Sequence, residues 1–336
     1  MKTALAPREP SLERLANPAL RYLLATRPAF LTITLAGCLL GFATAVAGGA
    51  AFGWKRALAT LVLALLAHAG INALNDYCDH LNGTDARNTQ RIYPYTGGSR
   101  FIQNGVLTPR QVLGLAVALF AVTIAGGLWL LSVAGAGLFW IGLAGLVIGW
   151  AYSAPPLQLN SRGLGELFVA TGMLLIVVGA DMVQRGAFDP LPWLAGAPYA
   201  LLAANILYIN QFPDRAADRA SGKLHWVARL QPAAATWGYG LILLLAALAL
   251  LGGILLGAYD STPALAHSGS ESFRALPLAA AGAFVAWIPA ILAWRQLRRF
   301  AATPEHLAPA IKRTLLAAHA LPLLLAASLL LSGDIL

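Results

Sequence analysis

Apolar stretches of about 20 residues recur from one end of the chain to the other, and nothing else in the sequence constrains the fold as strongly. Each is long enough to cross a bilayer's hydrocarbon core of about 30 Å as a helix. Backbone groups in lipid must be satisfied internally, which leaves helices or closed barrels. The alternating pattern of barrel strands is absent. The chain is therefore expected to be all-α and polytopic. Its nine spans fall at roughly 29–52, 57–75, 111–133, 135–153, 164–183, 191–211, 235–258, 275–294 and 313–332. Composition agrees: 58% of residues are hydrophobic and 11% charged, too few charges for a soluble surface of this size. One membrane domain is expected over 28–336, preceded by a mixed-charge extension, 1–27, that lacks a secretory signal pattern.

The 23 basic residues orient the spans. With the N-terminus in the cytosol, all but Lys55, Arg56, Arg185 and Arg274 fall in cytosolic segments, as the positive-inside rule requires. The expected topology is N-in and C-out, multi-pass in the cell's inner (cytoplasmic) membrane. The net charge of +9 is spread over short loops between apolar spans, which argues against a nucleic-acid partner. Cys38 and Cys78 give neither a disulfide framework nor metal-ligand spacing. The outer segment from Tyr259 to Phe273, rich in Ser, Ala and Pro, reads as a flexible loop. No protein partner is implied.

Five of the fourteen acidic residues gather in two short clusters at the ends of the second and sixth spans. The first contains Asn72, Asn75, Asp76, Asp79 and Asp85; the second contains Asn210, Asp214 and Asp218. Asn72, Asp76 and Asp79 recur at helical spacing, as do Asn210, Asp214 and Asp218, so a continuing helix puts each set on one face. Pro213 interrupts the second set and threatens its alignment. Both clusters exit on the cytosolic side, where the active site is expected.

An Asp at mid-bilayer costs roughly 2.5–3.5 kcal/mol on insertion scales, and several on one face repel each other. A hard divalent cation relieves both penalties. Mg²⁺ commonly takes one or two carboxylates together with substrate phosphates, so two facing clusters suit a diphosphate bridged by Mg²⁺. Interfacial loop residues are the plainer reading for a single Asp, but not for two matching clusters on one side. Arg100, after a Gly97-Gly98-Ser99 turn that exposes N–H groups, is a candidate for holding phosphate oxygens, as are Lys223 and Arg229. The positive-inside bias alone would also put cations there. Tyr152 and Arg162, in the loop joining spans four and five, are candidate pocket residues, with Glu166 a possible partner of Arg162. Among the histidines only His80 is close to the clusters; His68 and His319 lie within spans and read as packed polar residues.

Asn75-Asp76-Tyr77-Cys78-Asp79 with the later Asp85, paired with Asp214 and Asp218, resembles the two aspartate-rich motifs of UbiA-superfamily prenyltransferases. The nine-helix, N-in plan is similar to that family's, so the resemblance covers nearly the whole chain. It implies transfer of a prenyl group from an isoprenyl diphosphate to an aromatic acceptor. It further implies one Mg²⁺ on Asp76, Asp79 and Asp85, and a second on Asp214 and Asp218, with catalysis resting on Asp76, Asp79, Asp214 and Asp218. Asn72, Asn75 and Asn210 would add neutral oxygens.

Gly83-Thr84-Asp85, Thr96-Gly97-Gly98-Ser99-Arg100, Arg162 to Glu166 and Val227-Ala228-Arg229-Leu230 look like the 1,4-dihydroxy-2-naphthoate branch of menaquinone synthesis. Departures from that branch are Gln231 in place of Gly, and Leu224-His225-Trp226 in place of Arg-Thr-Leu. Gln158 or Asn160 stands near the position where many members carry Lys. The competing readings are a superfamily member acting on 4-hydroxybenzoate, homogentisate or a lipid, and, from another class, an ion-coupled transporter built on polar breaks in membrane helices.

Overall fold

The computed structural model describes residues 8–260 and 275–333. Their regular structure is all helical, without strands. A short helix α1 (Pro18–Ala25) is capped by Asn17, whose Oδ1 accepts from the Ala19 N–H at 2.9 Å. Next come α2 (Pro28–Ala47), α3 (Trp54–Leu81), the single turn α4 (Thr84–Arg87), α5 (Pro109–Ala134) and α6 (Gly137–Ser153). Then follow α7 (Gly165–Arg185), α8 (Leu191–Ala220), the turn α9 (Trp226–Arg229) and α10 (Pro232–Asp260). After a 3₁₀ stretch, Leu278–Ala286, come α11 (Trp287–Phe300) and α12 (Ala308–Gly333).

Eight of these helical segments are long and apolar enough to cross a membrane, the seventh combining the 3₁₀ stretch with α11. The fourth expected span, α6, has 17 residues and is the short member of the set. The chain is thus a multi-pass membrane protein, and its outward faces carry large exposed apolar side chains such as Leu58, Val117 and Leu244. Apart from its first two residues, the expected outer loop from Tyr259 to Phe273 lies outside the described residues. Both free cysteines are buried.

Two helices run further than their apolar stretches. α3 continues to Leu81 and α8 to Ala220, so both acidic clusters ride on helical backbone. Pro198 and Pro213 lie inside α8 without ending it; in membrane bundles neighbouring helices supply the freed backbone groups with other partners.

α8 packs between α7, α10 and α12, and α2 lies against α7 and α12. On the α10–α12 side the core is closed by small residues, including Ala280, Ala283, Ala290, Ala310 and Ala317. At Gly41, any Cβ would run into the Val177 carbonyl, so α2 and α7 meet backbone to backbone. On the other side, α2, α3, α5, α6, α7 and α8 surround a cavity of about 540 Å³.

The end of this bundle far from the acidic clusters is locked by buried charge. Asp181 is 1% exposed. It accepts from Arg185 Nε and Nη2, both at 2.8 Å, and from the Thr44 hydroxyl at 2.9 Å. Arg185 also reaches Asp189 at 3.1 Å and the Thr44 carbonyl at 3.0 Å. Removing one member of a buried ion pair strands its partner at a cost of about 3–5 kcal/mol. Asp181→Ala is therefore expected to lower the thermal unfolding temperature in detergent by several degrees.

Candidate active site

The cavity runs along α3 from Thr60 to Asp79, about 28 Å at 1.5 Å per residue. Its deep walls are apolar, formed by Leu63, Ile71, Phe120, Leu146, Met173 and Ile176 among others. Its rim is the opposite: Asp79, Asp85, Asp214 and Asp218 line it together with Asn72, Asn75, Asn210 and Lys223. The two distant acidic stretches meet at one end of one chamber.

Lys223 makes the closest junction. Its Nζ lies 3.1 Å from both carboxylate oxygens of Asp79 and 3.4 Å from Asp218 Oδ1. Burial works against its charge, yet Asp218 and Asp79 outweigh that and hold the ammonium well above the usual lysine range. The Ser221-Gly222 turn brings Lys223 back over α8, fixed by its N–H donating to the Asp218 carbonyl at 2.8 Å. The hydroxyls of Thr84 and Ser221, 2.5 Å apart, join the two stretches a second time.

The 96–100 turn forms the third junction. The Gly97 N–H donates to Asp214 Oδ2 at 3.3 Å. The Ser99 N–H is shared between the two oxygens of Asp76 at 3.3 and 3.2 Å. Gly97 and Gly98 have φ of +79° and +71°, the left-handed region that glycine enters without penalty, and a Cβ on Gly98 would collide with the Asp85 carboxylate. Asn88 Nδ2 donates to Asp214 Oδ1 at 2.6 Å. Burial, then the neighbouring Asp79 and Asp76 carboxylates, push Asp85 well above the usual carboxylate range.

The donor set fits a hard cation. It consists of carboxylates plus the amide oxygens Asn210 Oδ1 and Gln211 Oε1, which are buried without a hydrogen-bond partner and belong to cavity-lining residues. Among the described residues no three acidic, His or Cys side chains converge closely enough to hold an ion unaided. A cation held here would need water or substrate oxygens to complete its shell.

Several expectations are corrected. Asp76 does not share the cavity wall with Asn72 and Asp79; Asn75 does, and Asp76 turns toward Ser99. The N–H groups of Gly97 and Ser99 are taken by Asp214 and Asp76 and do not point into open space. Arg100 is buried behind the rim against the Asp85 carbonyl and is 3.8 Å from Glu9. Burial first, then the nearby Arg91, lower its pKa, against the pull of Glu9 and Asp85. Arg162 is exposed, bonded to the Pro156 carbonyl at 2.8 Å, and Arg229 is exposed beside Trp226. Neither lines the cavity. Glu166 pairs not with Arg162 but with Gln211, at 2.6 Å. Tyr152 lines the cavity, as does Asn160.

His80 lies off the cavity, whereas His225 and His68 line it. His225 Nδ1 accepts from the Ala228 N–H at 3.2 Å, so Nε2 carries the ring proton toward Asp218 Oδ2 at 2.9 Å. Its position two residues after Lys223 was the available signal. His68 contacts the Thr34 hydroxyl at 2.7 Å. Arg27, the last residue of the expected cytosolic extension, also faces the cavity.

A carboxylate- and amide-lined rim thus stands above a long apolar chamber in a multi-pass membrane protein. Residues 34–304 match the family model described as the UbiA prenyltransferase family, and the chain belongs to that family: it is a prenyltransferase. It is 29% identical over 206 residues to the 1,4-dihydroxy-2-naphthoate octaprenyltransferase of Mycobacterium leprae, covering 61% of this chain and 67% of that protein. With the Bacillus subtilis protein of the same name it shares 27% identity over 168 residues, 49% of this chain and 52% of the relative. The solved structure of a UbiA homolog from Aeropyrum pernix K1 superposes with a TM-score of 0.62 at 18% identity, covering 90% of this chain and 98% of that one. Digeranylgeranylglyceryl phosphate synthase gives a TM-score of 0.58 at 13% identity, covering 93% and 98%. These structural likenesses establish the fold.

Proposed function

We propose that this enzyme transfers a prenyl group from an isoprenyl diphosphate to 1,4-dihydroxy-2-naphthoate in the synthesis of a menaquinone-type lipid quinone, and that it requires Mg²⁺. The observation that carries the reading is the meeting of Asp79, Asp85, Asp214 and Asp218 at the mouth of one apolar cavity. The similarity to naphthoate prenyltransferases supports the acceptor. In this reading α6 is the ninth span, the chain is N-in and C-out, and the rim faces the cytosol at the inner membrane.

Asp79 and Asp85 would hold one ion. Asp76 completes that set, because a shared N–H leaves its two oxygens with acceptor capacity. Asp214 and Asp218 hold the other, and Asn72, Asn75 and Asn210 add neutral oxygens. Mg²⁺ held there would neutralise the diphosphate and make it a better leaving group. Lys223 supplies a further cation for the departing oxygens. His225, through its Nε2–H, fixes the orientation of Asp218. The apolar walls keep water from the allylic carbon as its bond to oxygen breaks and an electron-rich ring carbon attacks. With a naphthoate acceptor, the carboxylate is lost as CO₂ and pyrophosphate leaves.

Purified protein given a radiolabelled prenyl diphosphate should label 1,4-dihydroxy-2-naphthoate and release pyrophosphate, both abolished by EDTA and restored by Mg²⁺. Hydroxybenzoate, homogentisate and a polar lipid serve as competing acceptors. A faster reaction with one of them rejects the naphthoate assignment. Ion-driven uptake into proteoliposomes without any transfer would favour the transporter.

A further inference from the structure

Glu9 lies well before residues 34–304, the part of the chain that matches the family model, and the rim chemistry described so far makes no use of it. Its half-buried carboxylate is the hub of a side-chain cluster behind the rim. Oε1 accepts from Arg91 Nε at 2.7 Å and lies 2.6 Å from Arg91 Nη2. Oε2 accepts from Asn104 Nδ2 at 3.0 Å and lies 3.8 Å from Arg100 Nε. Among the described residues no other acidic side chain pairs with either guanidinium within 4 Å. The segment is also anchored without charge. Leu15 is buried in one apolar cluster with Phe101, Ile102, Val106 and Leu107, and the Pro10 carbonyl accepts from Asn104 Nδ2 at 3.0 Å.

Each arginine links Glu9 to one aspartate cluster. Arg91 Nη1 donates to the Asn88 carbonyl at 2.5 Å, and the Asn88 amide in turn donates to Asp214 Oδ1 at 2.6 Å. The stem of Arg91 also packs under Gly97, where any Cβ would strike it, and the Gly97 N–H donates to Asp214 Oδ2 at 3.3 Å. On the other arm, Arg100 Nη1 donates to the Asp85 carbonyl at 2.5 Å. Asp85 belongs to the first cluster and Asp214 to the second, and both line the rim. Arg91 and Arg100 repel one another, and Glu9 is the anion placed between them. Charge-assisted bonds of this kind are stronger than neutral ones and fix direction as well as distance.

We infer that Glu9 is a positioning residue for both ion sites: it clamps Arg91 and Arg100, which hold Asn88, the Gly97 turn and the Asp85 backbone so that Asp85 and Asp214 stand ready for a cation. This role rests on the reading of the rim as a Mg²⁺-dependent prenyl-transfer site, and it extends that site to a segment outside the family match. Groups that orient the direct ligands of a metal commonly change its affinity by about 10- to 100-fold. Glu9 is one step further back, so the lower end of that range is expected.

The test compares the purified full chain as wild type, Glu9→Gln, Arg91→Gln, the double variant and Glu13→Gln. Glu13 is exposed on the same segment and serves as the charge control. Initial rates of prenyl transfer across a Mg²⁺ titration give the half-saturating concentration. Hydrogen–deuterium exchange in EDTA follows the amides of residues 85–104 with no metal bound. Glu9→Gln should raise the Mg²⁺ needed for half-maximal rate about 10-fold and keep the rate at saturating Mg²⁺ within about 2-fold of wild type, because bound ions re-form the site. Exchange over 85–104 should quicken, while α10, α11 and α12 exchange as in the wild type. The double variant's shift should fall well short of the product of the two single shifts, since Glu9 acts largely through Arg91. Glu13→Gln should match the wild type in every measure. An unchanged Mg²⁺ requirement in Glu9→Gln overturns the inference. So does quickened exchange spread over the whole bundle, the mark of general destabilisation, or a double variant whose shift equals the full product. With wild-type transfer still dependent on Mg²⁺, those results leave the prenyl-transfer reading standing; a wild type that transfers no prenyl group, or does so without a divalent ion, removes both.

Discussion

Asp214→Ala is expected to lower prenyl transfer by roughly 1,000-fold or more while the protein still accumulates in the membrane. Two losses combine at this residue. The carboxylate charge that would hold a divalent ion disappears, and two donors, Asn88 Nδ2 at 2.6 Å and the Gly97 N–H at 3.3 Å, lose their acceptor. Asp214→Asn separates them, since the amide keeps an acceptor oxygen for one donor and has no charge. If charge dominates, the Asn variant falls nearly as far as the Ala variant, and its activity rises with Mg²⁺ at concentrations where the wild type is saturated. Asp79→Ala should behave alike, and the double variant should be little worse than either single one, because groups that act as one unit are not additive. Initial rates of labelled prenyl transfer across a Mg²⁺ titration measure all of this. Activity above a tenth of wild type in either alanine variant would remove that residue from the site.

The helical bundle and the aspartate clusters were legible because hydrophobic length and acidic spacing are local properties. What the sequence concealed depends on phase and on partners distant in the chain. At about 100° per residue, Asp76 falls roughly 40° to one side of Asn72 on α3 and Asn75 roughly 60° to the other, with Asp79 between Asn72 and Asn75. Helical spacing alone therefore defines a broad arc. The 96–100 turn packs against the Asp76 edge, which leaves Asn75 on the cavity. Arg100, Arg162 and Arg229 look equivalent to Lys223 as loop cations, but only Lys223 follows a turn that folds back over α8. Arg27 was hidden by its backbone, since nothing in Thr26-Arg27-Pro28 announces a left-handed residue. The stretch 278–286 reads as any apolar span, because Ala- and Gly-rich sequence does not distinguish 3₁₀ from α pitch.

Lys223→Met is expected to destabilise the protein in EDTA by about 3–5 kcal/mol, and Mg²⁺ should recover most of that loss. The ammonium is the only cation within 4 Å of Asp79 among the described residues, and it shares Asp218 with His225. Without it, buried carboxylates face one another uncompensated, and a divalent ion becomes the remaining source of positive charge. In the wild type an incoming ion must compete with the ammonium, so the stabilisation gained from Mg²⁺ should be larger in the variant. The sign with pH is fixed as well. The lysine's folded pKa is raised, so its contribution is complete below about 10.4, the value of an unperturbed lysine, and fades only as pH climbs through the folded value. The gap between wild type and variant in EDTA should therefore stay constant from pH 7 to 9. Turnover should drop by about 100-fold even at saturating Mg²⁺, because the departing diphosphate loses a charge-assisted donor. Thermal unfolding with and without Mg²⁺, run beside initial rates, separates the two roles. A variant as stable as wild type in EDTA would mean that Lys223 does not hold the clusters together, and unchanged turnover would take it out of the chemistry.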